Sequence, residues 1–293
     1  MYLIIGGNGY LGNYIIQSIL QNTEEQIIAT ARKIDNLKNT NRIFWYQCDI
    51  LDDANFEALV NKVKEYEHVK VVFLAAYHHP DSVASNPQYA WNVNVTTLSK
   101  CINLLSFVDD FYYASTDSVY GNSYDNYHFK ETDSLNPVNI YGHNKCAAEA
   151  IVVHYGFHVV RYPFLIGTSL VNGKKHFYDS IVSDLQNGKP VEMFSDSYRS
   201  SLNFKTAADL MIELMKSKQT IPAIINICGD KDLSKYDIGL MIADKLNISR
   251  DYVIPIKMEE NGQIFQSKRA TSTLMDNTRL KEILKINEVK FIL

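Results

Sequence analysis

The chain has 293 residues, of which 46% are apolar and 21% charged, and its net charge is −4. These values suit a globular chain with enough material for one large domain or two smaller ones, and they exclude a disordered or low-complexity protein. Its basic residues are dispersed, so neither nucleic acid nor an acidic membrane surface is expected as a partner.

The chain opens on MYLIIGG, with neither a basic leader nor an apolar run of about 18 residues, and a cytoplasmic protein is the expectation. Tyr2–Ile5 is the first expected strand. The following GGNGYLGNYIIQSIL places Gly6, Gly9 and Gly12 at G-x-x-G-x-x-G spacing and runs on into a helical pattern. In that context the three glycines serve a tight turn, close approach of backbone to a pyrophosphate, and close helix-to-strand packing. Tyr10 and Leu11 between them become candidate cofactor contacts. Gln26–Ala31 is the second strand, and Arg32 and Lys33 follow where an NAD site usually carries an acid. NADP(H) is therefore favoured, with NAD(H) left open.

Ile43–Cys48 comes next, and Asp49, with Ile50 beside it, is placed to meet the adenine amino group, unless it simply caps its own loop. Val69–Ala75 carries VVFLAA, which fits a strand buried on both faces, and Ala75 and Ala76 at its end are further cofactor candidates. Phe111–Ser115 leads into STDSVYG, and His158–Tyr162 is the last strand of this half. After Gly167 the alternation loosens. Helices are expected at Phe177–Gln186, Ala207–Lys216, Tyr236–Leu246 and Asn277–Leu284, with Thr206 and Ser234 as N-caps and short strands at Ala223–Cys228 and Val253–Ile256.

Alternating β and α elements predict an α/β fold, a Rossmann-type doubly wound parallel sheet with a smaller α/β C-terminal substrate domain. The boundaries expected are 1–165 for the dinucleotide-binding domain, taking in about 200–228 as well, and 166–293 for the substrate domain. The ligand crevice should lie between them. Cys48, Cys101, Cys146 and Cys228 are far apart with no C-x-x-C, and read as reduced thiols. His154 and His158 have helical spacing but apolar neighbours and a glycine between them, so no metal site is expected.

The stretch NIYGHNKCAAE sets Tyr141 four residues before Lys145. In a chain with 19 Tyr such a pair arises by chance, and Tyr66 with Lys70 is a second one. Context separates them. Tyr66 ends a polar helix and Lys70 begins a strand, whereas Tyr141 and Lys145 share a helix that follows YASTDSVYG. If that strand lies beside the nucleotide, Thr116 meets Tyr141 in the crevice. Tyr141 then protonates a carbonyl oxygen or takes the proton in reverse, Lys145 lowers the phenol's pKa and holds the nicotinamide ribose, and Thr116 fixes the substrate oxygen.

Together, the glycine spacing, STDSVYG and Tyr141-Gly-x-x-Lys145 resemble an extended short-chain dehydrogenase/reductase. More closely, LAAYHHPDSVASNPQYAWNVNV, NPVNIYGHNKCAAE, VVRYPFLIG and INICGDKDLSKYDI are similar to the dTDP-4-dehydrorhamnose reductase (RmlD-like) branch. That resemblance implies catalytic Thr116, Tyr141 and Lys145, a cofactor-side helix asparagine at Asn94, and NADPH-dependent reduction of a nucleotide-linked 4-keto-6-deoxy sugar. Departures from the family pattern redraw the sugar pocket. His78 and His79 replace its usual loop, and Phe164 stands nearest to a missing tryptophan. Asp117 and, for a diphosphate, Arg199 complete the expected substrate contacts. Ser118 stands where a dehydratase needs glutamate, so dehydration should fail. An NAD-dependent epimerase and a non-catalytic dinucleotide-binding subunit remain alternatives, and a homodimer is left open.

Overall fold

The computed structural model describes residues 1–171, 173–258 and 264–293. Seven parallel strands form the central sheet: β1 (Tyr2–Ile5), β2 (Ile27–Ala31), β3 (Ile43–Gln47), β4 (Lys70–Phe73), β5 (Asp110–Thr116), β6 (His158–Tyr162) and β7 (Ile224–Asn226). Their spatial order is β3-β2-β1-β4-β5-β6-β7, so the strand order reverses between β1 and β4. At such a switch point the loops after the two strands diverge and leave a crevice.

The inner strands are buried on both faces because most of their residues are apolar, as in YLII of β1, which is buried at every position. Tyr2 and Ile4 of β1 face one core, with Ile15 and Ile19 of α1 (Tyr10–Asn22); Leu3 and Ile5 face the other, with Phe56 of α2 (Asp53–Val63). Two short helices, α3 (Pro80–Ser85) and α4 (Pro87–Trp91), lead through a π turn at Asn92–Thr97 into α5 (Leu98–Leu104), and α6 (Ile140–His154) packs on the same face. The expected fourth strand, Val69–Ala75, stops at Phe73, because residues 74–79 leave the sheet as a loop toward the crevice.

Beyond β6 a second apolar core joins α7 (Phe177–Gln186) and α9 (Lys235–Leu246) to a parallel pair, Val191–Phe194 with Val253–Ile256. The chain also returns to the first unit. β7 extends the sheet, α8 (Phe204–Lys216) packs on α1, and Leu280 of α10 (Thr278–Leu284) enters the first core.

One expected cap is corrected. The N-cap of α8 is Asn203, whose Oδ1 accepts from Thr206 N at 2.6 Å, so Thr206 lies inside the first turn. Three residues of separation let the asparagine oxygen satisfy an otherwise free helical N–H. Ser234 does cap α9, in a reciprocal box with Asp237. No helix among the described residues is long and apolar enough to cross a membrane.

Candidate active site

Gly6 follows β1 with φ +86, a left-handed conformation suited to glycine, and its N–H donates to Thr30 Oγ1 at 3.0 Å, which ties the turn to β2. A Cβ on Gly12 would lie 2.6 Å from Gly7 O and 2.8 Å from Gly6 O, so only glycine lets α1 start this close to the turn. Gly9 caps α1 with no side chain, leaving the first-turn N–H groups facing the loop. Leu11 reaches the cavity described below. Tyr10 turns away from the loop, donating from its hydroxyl to Lys175 O at 2.8 Å and stacking on Phe204.

Arg32 and Lys33 follow β2 and are exposed. Asp49 works as a loop cap, with Oδ1 accepting from Leu51 N at 3.0 Å, while Ile50 packs against the core below. The backbone of Ala75 closes on Gly6, and Ala76 continues onto the cavity wall. Asn94, in the π turn, clamps the loop after β4 from both sides: Oδ1 accepts from Tyr77 N at 2.8 Å and Nδ2 donates to Tyr77 O at 2.9 Å. π turns recur at functional sites because they re-aim one side chain out of helical register.

A cavity of about 630 Å³ opens at the carboxyl ends of β4, β5 and β6 and under the C-terminal unit. Thr116, Asp117, Tyr141 and Lys145 share its wall with His78, His79, Phe164 and Arg199. Gly6, Gly9, Tyr10, Gly12, Arg32, Asp49, Ile50, Ala75 and Asn94 are not on that wall. Tyr141 is seated by local chemistry. Asn139 caps α6 by accepting from Gly142 N at 2.9 Å, and a Cβ at position 142 would come within 2.6 Å of Ser118 O. Glycine there brings the start of α6 against the turn after β5. The decoy pair is dispersed, since Tyr66 packs in the core while Lys70 Nζ donates to Met215 O.

The electrostatics differ from the expected pairing. Burial, and then the charge of Asp117, raise the Tyr141 phenol well above its ordinary range. Lys145 is only 3% exposed, and burial lowers its pKa to about 7, with Glu149 opposing. Its ammonium donates to Tyr113 OH at 2.8 Å and to Ala114 O at 2.6 Å. Desolvation therefore outweighs the attraction that was to lower the phenol's pKa, and it favours the neutral phenol. Thr116 Oγ1 accepts from Ser118 N and donates to Asp117 Oδ1 at 3.0 Å. The Asp117 carboxyl is raised by burial and opposed by Arg199, whose Nε lies 3.3 Å away. The same guanidinium donates to the carbonyls of Tyr198, Ala270 and Thr271, so Arg199 works mainly as a brace between chain segments. His78 is lowered first by burial and then by Lys174 and Lys145.

Sequence reasoning missed three groups. Tyr113 lay unremarked inside the strand expected at Phe111–Ser115. Glu149 and Arg161 form a buried pair, 2.6 Å from Oε2 to Nη2, joined by Ser115 and Tyr120. Lys235 stands on the cavity wall with its ammonium 5.2 to 5.8 Å from the ring centres of Phe164, Phe177 and Phe194, and Arg269 stacks on Phe265 nearby. The Lys-Tyr-Asp spacing after Ser234 signalled only a helix start.

The model of the RmlD substrate binding domain matches residues 1–291. Methionine adenosyltransferase 2 subunit beta of Bos taurus is 24% identical over 289 residues, 96% of this chain and 81% of the bovine one. Among solved structures, a hypothetical dTDP-4-dehydrorhamnose reductase from Sulfolobus tokodaii superposes with a TM-score of 0.79 at 22% identity, covering 99% of this chain and 97% of that one. UDP-glucuronic acid 4-epimerase from Bacillus cereus, solved with UDP-glucuronic acid and NAD, gives a TM-score of 0.81 at 18% identity, covering 99% and 94%. At these identities the superpositions establish the shared fold.

Proposed function

This chain belongs to the RmlD substrate binding domain family, and we propose that it is an NADPH-dependent reductase of a nucleotide-linked 4-keto-6-deoxy sugar. The observation that carries the reading is the meeting of Thr116, Tyr141 and Lys145 on one cavity wall, which Leu11 of the glycine loop and Ala76 after β4 also line.

The turn fits a dinucleotide. Gly12 leaves no room for a Cβ, and the uncapped start of α1 offers N–H groups to a pyrophosphate. Gly6, Gly9 and Gly12 with Leu11 would hold that part, Arg32 a 2′-phosphate, Asp49 and Ile50 the adenine side, and Ala75, Ala76 and Lys145 the nicotinamide side. When bound, the cofactor supplies the hydride. Tyr141 donates its hydroxyl proton to the carbonyl oxygen of the sugar as charge develops there. Thr116, by rotating its hydroxyl off Asp117, steadies the same oxygen, and the phenolate left behind is balanced by Lys145 one helical turn away.

Arg32 after β2, where an NAD site usually carries an acid, favours an NADP-dependent reductase over an NAD-dependent epimerase. The test is NADPH oxidation on adding a dTDP-4-keto-6-deoxy sugar, run in parallel with NADH. Turnover with release of NADP supports the reading. Retained NAD without net turnover supports an epimerase. Dinucleotide binding with no turnover on any keto sugar supports the second reading, a non-catalytic subunit, which the bovine subunit's similarity favours.

Lys235, its pKa lowered to about 8 by burial and then by Arg199 and Arg269, offers its cation to the anionic nucleotide part. Lys235→Gln should raise KM for the sugar nucleotide about tenfold or more with little change in kcat, the scale of one charge-assisted hydrogen bond. The ammonium is charged below its pKa and neutral above it. The wild-type KM should therefore climb as pH passes about 8, and the variant's should stay flat over that interval. Initial-rate measurements across pH check both.

A further inference from the structure

We propose that Tyr113 is a positioning residue for Lys145, a second phenol behind the Tyr141–Lys145 pair whose hydroxyl fixes the direction of the ammonium and holds it as a cation. The role deepens the reductase reading and rests on it.

Alternation along β5 turns Tyr113 and Ser115 toward α6: Tyr113 joins the core on that face and Ser115 binds Glu149. The Tyr113 hydroxyl accepts from Lys145 Nζ at 2.8 Å, and its ring centre lies 4.2 Å from the same atom. With Ala114 O it makes two acceptors, and the third ammonium proton has no protein acceptor among the described residues. That leaves one N–H for a ligand on the cavity side.

The neighbouring groups do not substitute for this oxygen. Glu149, one turn along α6, raises the proton affinity of Lys145 but is committed to Arg161 of β6 and to Ser115. Tyr141 on α6 is neutral, and His78 of the loop after β4 is pushed toward neutrality. Tyr113 itself, 1% exposed, stays un-ionised, because burial, Tyr141 and Glu149 all oppose its phenolate. A neutral oxygen aimed at a buried ammonium stabilises the charged form. Lys145 must be charged when Tyr141 has given up its proton, so Tyr113 acts on the chemistry through Lys145.

The test is Tyr113→Phe, which keeps the ring and removes the acceptor. In the unliganded protein, acetylation of Lys145 by acetic anhydride, followed by mass spectrometry across pH, reads the protonation midpoint without any need for turnover. The midpoint should fall by about one pH unit, the scale of one hydrogen bond to a charged group. With the keto-sugar nucleotide, kcat near neutrality should fall about tenfold and recover on acidification, with KM unchanged. Tyr113→Gln, which restores an acceptor oxygen, should bring the midpoint back toward wild type. An unmoved midpoint in Tyr113→Phe, or equal loss of activity at every pH, overturns the proposal. If wild-type protein turns over no keto sugar, the reductase reading fails, while the labelling midpoint still decides what Tyr113 does to Lys145.

Discussion

Tyr141→Phe is expected to lower turnover by at least about 10²-fold while leaving dinucleotide affinity within a small factor of wild type. The substitution removes one oxygen from the cavity wall. Phe keeps the ring that packs at the start of α6, and the α6 cap, Asn139 on Gly142 N, is untouched. The lost step is delivery of a proton to the developing alkoxide, and no nearby group takes it over easily. Lys145 is turned to Tyr113 and Ala114, and Asp117, though raised by burial, is bound by Thr116 and paired with Arg199. Fluorescence titration with NADPH and steady-state rates separate the two effects. Unchanged turnover rejects Tyr141 as the acid, and a collapse of both binding and rate would point to a structural role.

Arg161→Met is expected to cost about 3–5 kcal/mol of folding stability, the penalty for leaving the other half of a buried ion pair unpaired. Arg161 is 1% exposed and Glu149 2%, and the guanidinium reaches both carboxylate oxygens as well as Tyr120 OH. The network continues through Asn226 on β7 to the carbonyls of Phe129 and Asp276, so it links the sheet edge to the C-terminal segment. Replacing both partners by apolar residues should recover most of the loss. Urea midpoints, with the slope checked for constancy, compare wild type with both variants. A deficit below about 1 kcal/mol would mean that water reaches the pair.

Much of the fold could be read along the chain, because its signals are local. Apolar runs such as VVFLAA mark strands covered on both faces, and Gly6, Gly9 and Gly12 mark a strand-to-helix turn whose geometry excludes a Cβ at position 12. The α8 start was misread because Thr206 is a good capping residue in isolation. Which of two candidates caps depends on where the chain bends, and Asn203 precedes the helix by the right interval. Asp49 shows a similar limit: its position after β3 was legible, but that its Oδ1 also accepts from Leu51 N follows from the path of the loop.

Short-range periodicity and spacing were enough to give the α/β sheet, the family resemblance and part of the cavity wall, Thr116, Tyr141 and Lys145 among it. Which side chains meet was left to the packing of distant segments. Lys145 meets Tyr113 from 32 residues away, and Lys235 stands among Phe164, Phe177 and Phe194. Packing also set the direction in which each pKa moves. The Tyr-x-x-x-Lys spacing alone predicts an ammonium pulling a phenol's pKa down, but burial acts on both groups and drives each toward its neutral form. Desolvation depends on everything packed around a side chain, and that surrounding exists only once distant segments have closed over it.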